Sequence, residues 1–133
     1  MITERFTAFP YIQEGTNGAL GGVVKMIQDS EGLIWIGVFD NGFYRFDPNN
    51  NTFQHYHLKE DLTDNDARFR QNSVLDIVED ATNPAILWLA GNNGLYRFDK
   101  TSEQLTYFDS TAPLTQGSSI QQIMQQDSNY LWL

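Results

Sequence analysis

A tryptophan-centred segment occurs three times in the chain and constrains its fold more than any other feature. The copies are Trp35-Ile36-Gly37, Trp88-Leu89-Ala90 and Trp132-Leu133. Their tryptophans stand 53 and 44 positions apart, and periods of this size are typical of propeller blades and solenoid units. The sequence therefore predicts several stacked copies of one small structural unit.

A second motif follows each of the first two tryptophans after a short turn. Residues 41–47 and 93–99 differ only at their third position. Gly42 and Gly94 each come after an asparagine in these motifs, and this pair of residues favours hairpin turns with positive φ. We predict a purely geometric role for both glycines.

Each repeat contains four short apolar segments separated by Gly, Asn, Asp and Pro, and no window has a helical period. This pattern is typical of propellers, so we predict an all-β fold, a β-propeller fragment of four-stranded antiparallel blades. We assign residues 1–10 to the outer strand of a preceding blade, 23–57 and 74–109 to two blades, and 120–133 to the start of a following blade. The predicted strands are Val23–Gln28, Leu33–Val38, Phe43–Asp47, Thr52–Tyr56, Val74–Glu79, Leu87–Ala90, Leu95–Asp99 and Gln104–Phe108.

The strands around both tryptophans are apolar throughout, as residues 33–36 and 86–89 show. Continuous apolar runs of this length indicate strands buried on both faces, so neighbouring blades are expected to cover each sheet. Arg45 and Arg97 alternate with aromatic residues in the repeated motif. We predict that their stems lie between blades and that each guanidinium pairs with a carboxylate.

Composition excludes several classes of partner. Seventeen acidic residues against eight basic ones give a formal net charge of −9, which predicts no binding to nucleic acid. The absence of cysteine removes disulfides, thiolate chemistry and Cys-based zinc sites. No run reaches the roughly 18 apolar residues of a membrane span, and residues 1–10 have no signal-type run, so we predict no direct membrane insertion of this segment.

One repeat resembles a known family. Residues 26–37 (Met-Ile-Gln-Asp-Ser-Glu-Gly-Leu-Ile-Trp-Ile-Gly), followed by residues 41–47 (Asn-Gly-Phe-Tyr-Arg-Phe-Asp), closely resemble the two-component regulator propeller repeat. The resemblance covers nearly the whole chain, with departures where Ala90 replaces Gly37 and where residues 83–85 lengthen a turn. It implies a periplasmic, ligand-sensing propeller segment of a membrane-anchored bacterial regulator, including hybrid two-component sensors that respond to carbohydrate. The repeat is specific for a fold and does not identify a ligand.

The residue types that carry metal chemistry are few. His55 and His57 have the i, i+2 spacing that places two side chains on one face of a strand, but two ligands are too few for a metal site. We predict solvent-facing histidines, no metal and no cofactor. Asp61, Asp64 and Asp66 lack the alternating pattern and closing glutamate of a calcium loop, so we assign them to loop solubility.

Catalytic motifs are also missing from the sequence. Residues 117–119 (Gly-Ser-Ser) do not form a nucleophile elbow, and no glycine-rich phosphate loop precedes a helix. With seventeen acids in the chain, paired carboxylates arise freely. We therefore predict that the chain is not an enzyme.

The connection spanning residues 58–72 is the candidate binding element. It is long for a compact repeat and holds three of the eight basic residues, and loops of that kind are often functional. In a four-stranded blade it emerges at the same end as the turns at residues 39–41 and 91–93. We predict a surface there for a sugar or a neighbouring domain, and the alternative is a tolerated insertion. The predicted binding residues are Lys59, Arg68, Phe69, Arg70, Asp40, Asn41, Asn92 and Asn93.

Two functions of different class remain open from sequence alone. The first is a segment of the extracytoplasmic, ligand-sensing propeller of a two-component regulator that responds to carbohydrate. The second is a propeller scaffold without signalling output, or a carbohydrate-binding or carbohydrate-active module whose catalytic residues lie elsewhere. A transmembrane helix and an output domain in flanking sequence favour the first, and a catalytic or wall-anchoring domain favours the second.

Two whole blades are fewer than a propeller needs, because propellers close with about four to eight blades. We therefore expect the terminal blade faces to be covered, either by remaining blades of the same propeller or by other copies of the chain. In the second case, Phe6 and Phe9 of one copy are expected near Ile120, Ile123 and Trp132 of another. An oligosaccharide is the expected small ligand.

Overall fold

The structure, a computed structural model, describes residues 22–58, 72–92, 94–108, 120–127 and 130–133. All regular secondary structure in these residues is β-strand, as the repeat pattern predicts. No helix in the described ranges is long and apolar enough to cross a membrane. The strands are β1 (Val23–Gln28), β2 (Ile34–Val38), β3 (Phe43–Asp47), β4 (Thr52–Tyr56), β5 (Val74–Glu79), β6 (Ile86–Gly91), β7 (Gly94–Asp99), β8 (Gln104–Phe108), β9 (Met124–Gln125) and β10 (Leu131–Trp132).

The strands form two four-stranded antiparallel sheets in chain order and one two-stranded ribbon. We call β1–β4 blade 1, β5–β8 blade 2, and β9–β10 the terminal strand pair. The two blades share their register, because Trp35 pairs with Arg45 in blade 1 and Trp88 pairs with Arg97 in blade 2. These sheets confirm the prediction of an all-β propeller fragment. Observed strand ends differ from the predicted ones by a single residue at β2, β6 and β7.

The two blades also share an irregularity in their first strands. The register shifts between Val23 and Lys25 in blade 1, and between Val74 and Asp76 in blade 2. Such a bulge turns side chains three positions apart onto the same face of a strand. The two repeats therefore share this local distortion of the backbone as well as their sequence pattern. The expected outer strand at residues 1–10 lies outside the described residues.

The main core lies between the blades and not within either of them. Trp35 and Phe43 of blade 1 pack against Phe98 of blade 2, with ring centroids 5.6 and 5.2 Å apart in edge-on geometry. This is a favourable arrangement for aromatic pairs. The approach is close, since a Cβ added at Gly37 would stand 2.9 Å from Val74 Cγ1. The fully buried aliphatic residues of this core are Val74, Ile77, Leu87 and Leu89.

The blades converge at their first strands. The closest backbone approach between the two sheets runs from β1 and β2 of blade 1 to β5 of blade 2. We call this contact between blade 1 and blade 2 the seam. Lys25 Nζ lies 3.2 Å from Asp76 Oδ1 across it. Sheets that meet along their first strands are arranged as blades around a common axis, as in a propeller. A second, smaller core repeats the arrangement, because Ile120 and Ile123 pack on Ala90 and Leu95 of blade 2.

Each tryptophan donates a hydrogen bond to the side chain of the residue that directly follows the first strand of its repeat. The Trp35 indole N–H donates to Asp29 Oδ2 at 2.8 Å, and Trp88 donates to Asp80 Oδ2 at the same distance. In the third copy Trp132 donates to Gln126 Oε1 at 3.0 Å. In the sequence, Asp29, Asp80 and Asp127 precede the three tryptophans. In the structure, the first two accept the indole hydrogen bonds. At the fully buried Trp35, the Asp29 carboxylate satisfies an indole donor that would otherwise be buried without a partner.

The two repeated arginines differ in their partners. Arg45 Nη1 lies 3.6 Å from Glu103 Oε1 of blade 2, which is the inter-blade pair that the sequence predicts. Among the described residues, no carboxylate lies within ion-pair distance of Arg97. Blade 1 has blade 2 beside it, whereas the corresponding side of blade 2 faces, among the residues that the structure describes, the two-stranded terminal strand pair. The prediction is therefore confirmed for Arg45 and not for Arg97.

Gly42 and Gly94 adopt positive φ values of 69° and 141°, as predicted. Gly42→Ala is expected to lower the free energy of unfolding by about 2 kcal/mol or more, since the new methyl group would collide with the Tyr56 carbonyl oxygen in a left-handed backbone. Gly32→Ala is the matched control. It has φ 87° and no atom nearer than 4.0 Å, so it costs about 1 kcal/mol through backbone strain alone. Urea denaturation measures both changes. Equal losses of unfolding free energy in Gly42→Ala and Gly32→Ala would contradict a steric clash specific to Gly42.

Candidate functional site

The candidate site lies at one end of the blades, which we call the connection face. Successive turns of an antiparallel sheet alternate between its two ends. The β2–β3 turn, the β6–β7 turn and the connection from β4 to β5 therefore share an end. The opposite end, which we call the turn face, carries the β1–β2, β3–β4, β5–β6 and β7–β8 turns.

The base of the β4–β5 connection is closed by one side chain. Leu58, the last described residue before the connection, donates its backbone N–H to Asn72 Oδ1 at 3.0 Å. Gly42 donates its N–H to the Asn72 carbonyl at 2.6 Å. Both Leu58 and Asn72 are buried. The connection therefore leaves and rejoins the blades at a fixed point beside the β2–β3 turn.

Ser73 joins the turns of the two blades at this base. Its hydroxyl oxygen accepts the Asp40 backbone N–H at 2.9 Å, and Asp40 has a positive φ of 74°. On the other side, a Cβ added at Gly91 would stand 3.0 Å from the Ser73 carbonyl oxygen. Asp40 and Asn92, which follows Gly91, therefore flank one buried serine.

Asn41 is tied to the blade by its side chain and its backbone. Its amide nitrogen donates to the Tyr44 hydroxyl at 2.9 Å, and His55 Nε2 is 2.7 Å from its carbonyl oxygen. A carbonyl only accepts, so His55 Nε2 carries the proton in this bond. The Tyr44 and His55 rings are stacked, with centroids 4.2 Å apart and planes 3° apart. Asn41 thus shapes the turn that presents Asp40.

The expectation of two solvent-facing histidines is wrong for His55. Its ring is half-buried between Tyr44 and His57, and the two imidazole centroids are 4.2 Å apart. His57 is exposed, as expected. Register explains the difference, because β3 pairs Tyr44 directly opposite His55 and aromatic cross-strand pairs attract. The described part of the chain holds no group of three or more His, Asp or Glu side chains that could bind a metal ion.

Three of the eight predicted binding residues are therefore placed, namely Asp40, Asn41 and Asn92, all beside the base of the connection. The others lie outside the described residues. They are Lys59, Arg68, Phe69, Arg70 and Asn93.

Sequence reasoning missed the residues that build the base. Asn72 is 4% exposed and Ser73 is 0% exposed, although both are polar and precede a strand. A polar pair before a strand looks like an ordinary loop end in one sequence. Their burial depends on hydrogen bonds to Leu58, Gly42 and Asp40, which come from a different blade.

A second cluster missed from the sequence lies on the turn face. The Lys100 ammonium, 7% exposed, is 2.9 Å from Asp29 Oδ2 of blade 1 and 2.9 Å from Glu79 Oε2 of blade 2. The Ser30 N–H also donates to Glu79 Oε2, at 3.0 Å. Lys100 thus forms an ion pair with one carboxylate from each blade and stabilises the contact between the blades.

The electrostatics of this cluster are mutually stabilising. Burial acts to raise the pKa of Asp29, but hydrogen bonds from Lys100 and Trp35 outweigh it and hold that pKa below its usual value. Burial opposes the same effect at Glu79, where bonds from Lys100 and Ser30 lower the pKa. Burial acts to lower the pKa of Lys100, and the bonds to Glu79 and Asp29 reverse this and raise it. All three groups are therefore charged near neutral pH.

The fold and the connection face together define a segment of a β-propeller. On the connection face, hydrogen bonds of Asn41, Asn72 and Ser73 fix the geometry of the turns. Asp40, Asn41 and Asn92 are half-buried beside these turns.

Comparison with known proteins agrees with the fold. No protein-family model matches the sequence, and no curated protein matches it. Among solved structures, the chain is similar to the extracellular domain assigned to the hybrid two-component system BT3049 of B. thetaiotaomicron, with a TM-score of 0.69 and 16% identity. The match covers 91% of this chain and 17% of that one. The strand arrangement described above thus occurs within a much longer chain.

A second solved structure is the extracellular domain assigned to the one-component system BT4673 of B. thetaiotaomicron. It is 21% identical, and the match covers 82% of this chain and 18% of that chain. Its TM-score is 0.31, which is too low to support any conclusion about this fold.

Proposed function

We propose that the chain is a ligand-sensing segment of the extracytoplasmic β-propeller of a two-component regulator, and that its ligand is a neutral oligosaccharide bound at the connection face. The observation that carries this proposal is the construction of that face. A long connection is anchored at Asn72, between turns that belong to two different blades. The fold shared with an extracellular domain assigned to a hybrid two-component system supports the sensor class.

The chemistry of the connection face suits a sugar. Binding sites for small molecules combine an apolar or aromatic surface with a few placed polar groups. Phe69 supplies a ring for a sugar face, and Asp40 and Asn92 supply hydrogen-bonding groups for hydroxyls. Lys59, Arg68 and Arg70 add donors. A net charge of −9 favours a neutral ligand over an anionic one.

The placement of the site relative to the blades suits a sensor. Ser73 contacts the β2–β3 turn of blade 1 and lies beside Gly91, the last residue of β6 before the β6–β7 turn of blade 2. A ligand that bridges those turns binds two blades at once. Its binding energy then favours one arrangement of the seam over others, and this differential affinity is what a sensor needs to transmit a signal.

The triple substitution Arg68→Ala, Phe69→Ala and Arg70→Ala tests the site. We expect affinity for neutral gluco- and xylo-oligosaccharides, measured by calorimetry, to fall by about tenfold or more, which is roughly 1.4 kcal/mol. The free energy of unfolding should change by less than about 0.5 kcal/mol, the usual effect of a substitution that removes no core packing. The result separates a binding element from a tolerated insertion.

The matched control is the double substitution Thr101→Ala and Ser102→Ala, two exposed residues on the turn face. It should leave sugar affinity unchanged. Equal affinities for the loop variant and the unsubstituted chain would return the connection to the class of tolerated insertions. Failure of the unsubstituted chain to bind any of these sugars would contradict the carbohydrate ligand.

A further inference from the structure

The β2–β3 turn of blade 1 contains an Asn–Gly sequence, Asn41–Gly42. Asparagine is a thermolabile residue, and a glycine after it favours loss of the side-chain amide, because no Cβ hinders the glycine nitrogen. The chain has two other Asn–Gly sequences, at residues 17–18 and 93–94. Both include residues outside the described ranges, so Asn41 is the asparagine at which the structure defines the reacting groups.

Deamidation of Asn41 requires its side chain to meet the next peptide nitrogen. The Gly42 nitrogen loses its proton to solvent and forms a bond to Asn41 Cγ. The bond from Cγ to Nδ2 then breaks, and Nδ2 takes a proton from solvent and leaves as ammonia. Water opens the resulting succinimide at either of its carbonyl groups, which yields aspartate or isoaspartate. The reaction therefore consumes one water and releases one ammonia.

The peptide group between Asn41 and Gly42 is held at both ends. Its N–H, on Gly42, donates to the Asn72 carbonyl oxygen at 2.6 Å, and its oxygen, on Asn41, is 2.7 Å from His55 Nε2. Gly42 and Asn72 are both buried. The bond to Asn72 retains the proton that the attack must remove. Together the two bonds resist any rotation of the peptide plane toward the Asn41 side chain.

A third hydrogen bond holds the group that would leave. Asn41 Nδ2 donates to the Tyr44 hydroxyl at 2.9 Å. The Tyr44 ring is stacked on the His55 ring, and the two residues are paired directly across β3 and β4. One cross-strand pair thus fixes both the leaving amide and the oxygen of the reacting peptide group.

These restraints depend on the base of the β4–β5 connection. Asn72 accepts the Leu58 N–H with its side chain and the Gly42 N–H with its carbonyl oxygen. One residue therefore joins both ends of the connection to the β2–β3 turn. If this base detaches, the Gly42 N–H loses its acceptor at the same time. Local openings of this kind cost less free energy than global unfolding and expose individual backbone groups to water.

We propose that Asn41 is a latent deamidation site, closed while the base of the β4–β5 connection is in place and opened when that base detaches. The product carries a negative charge beside Asp40, and in isoaspartate the backbone of the turn is one carbon longer. Either product lacks the amide donor to Tyr44. The proposal rests on hydrogen bonds within the blades and is independent of the sensor function.

Peptide mapping tests the proposal. Cleavage after lysine and arginine places the three Asn–Gly sequences on separate peptides, residues 6–25, 26–45 and 71–97. The chain is incubated at mildly alkaline pH, folded or in urea, and mass spectrometry measures the deamidated fraction at each asparagine over time. We expect Asn41 to react at least about tenfold more slowly in the folded chain than in urea, equivalent to about 1.4 kcal/mol of local opening. Equal rates would overturn the proposal.

Two substitutions loosen the restraints without changing Asn41. Tyr44→Phe removes the hydroxyl but keeps the ring, and Asn72→Ala removes the side-chain bond to Leu58. Each should raise the rate at Asn41 by about threefold or more, the effect of losing one ordinary hydrogen bond. Tyr130→Phe, which removes an exposed hydroxyl on the terminal strand pair, is the control and should leave the rate unchanged.

The other two peptides separate local opening from unfolding. A variant that is unfolded reacts at the urea rate in all three peptides, whereas local opening raises the rate in residues 26–45 alone. If Asn72→Ala unfolds the chain, the conservative Tyr44→Phe variant decides. An unchanged rate at Asn41 in the folded variants, or an equal rise in Tyr130→Phe, would overturn the proposal.

Discussion

Trp35→Ala is expected to lower the free energy of unfolding by about 3 to 5 kcal/mol, the range for removing a large aromatic side chain from a packed core. Trp35 is 0% exposed and packs on Phe43, Tyr56 and Phe98, so its loss opens a cavity at the centre of the seam. The substitution also leaves Asp29 without its indole donor. Urea denaturation followed by tyrosine fluorescence or circular dichroism gives the change directly.

Phe39→Ala is the control for this prediction, since Phe39 is 44% exposed in the β2–β3 turn. It should cost less than about 0.5 kcal/mol. Trp35→Phe is a second variant that folds more readily and keeps most of the ring. A small loss for Trp35→Ala, comparable with that for Phe39→Ala, would show that the two blades do not share a core.

Lys100→Met is expected to cost about 3 kcal/mol at neutral pH, because it leaves Asp29 and Glu79 facing each other across the seam without a cation. Arg45→Met is the matched control. It breaks an inter-blade ion pair of 3.6 Å whose side chains are 32% and 50% exposed, and such surface pairs contribute less than about 1 kcal/mol. Equal losses for the two variants would contradict the buried cluster.

The cluster also predicts how stability depends on pH. The folded pKa values of Asp29 and Glu79 lie below their ordinary values of 3.8 and 4.5, so their contribution is present above these values and is lost as the pH falls through the folded pKa. The folded pKa of Lys100 lies above 10.5, so its contribution is present below that pH and is lost as the pH rises further. Stability should therefore be level between about pH 5 and pH 10 with respect to these groups.

In the Lys100→Met variant, the effect of acid on the contribution of these carboxyl groups to stability is expected to have the opposite sign. Burial without an ammonium raises the carboxyl pKa values, so the folded variant takes up protons as the pH falls. The deficit relative to the unsubstituted chain should then shrink between pH 7 and pH 4. Thermal melts across this range measure it. A deficit that stays constant would show that the carboxylates are not coupled to Lys100.

The strands could be predicted well from the sequence because the two repeats align with each other, so a strand assigned in one repeat can be checked in the other. Residues 41–47 and 93–99 are almost identical, so an error in one blade would have reappeared in the second. The turn glycines were predictable for the same reason, since Gly42 and Gly94 follow an asparagine at equivalent positions. The register of Trp35 and Trp88 within their blades follows directly from this alignment.

The ion pairs between the blades could not be predicted in this way, because Lys100 has no counterpart in the other repeat. Lys100 stands where blade 1 has Pro48, and an alignment treats that difference as ordinary turn variation. Its partners, Asp29 and Glu79, come from two other elements that only the stacked blades bring together. The binding role of Asp40 and Asn92 stays a prediction, and the buried Ser73 beside them has no sequence signal.

The central claim is that a sugar binds at the connection face and not elsewhere on the blades. Amide chemical shifts of the isotope-labelled chain, followed during titration with neutral gluco- and xylo-oligosaccharides, test it most directly. We predict shifts at Asp40, Ser73 and Asn92, with Ser30 and Lys100 on the turn face unmoved. Shifts confined to the turn face, or no shifts at saturating sugar, would contradict the account.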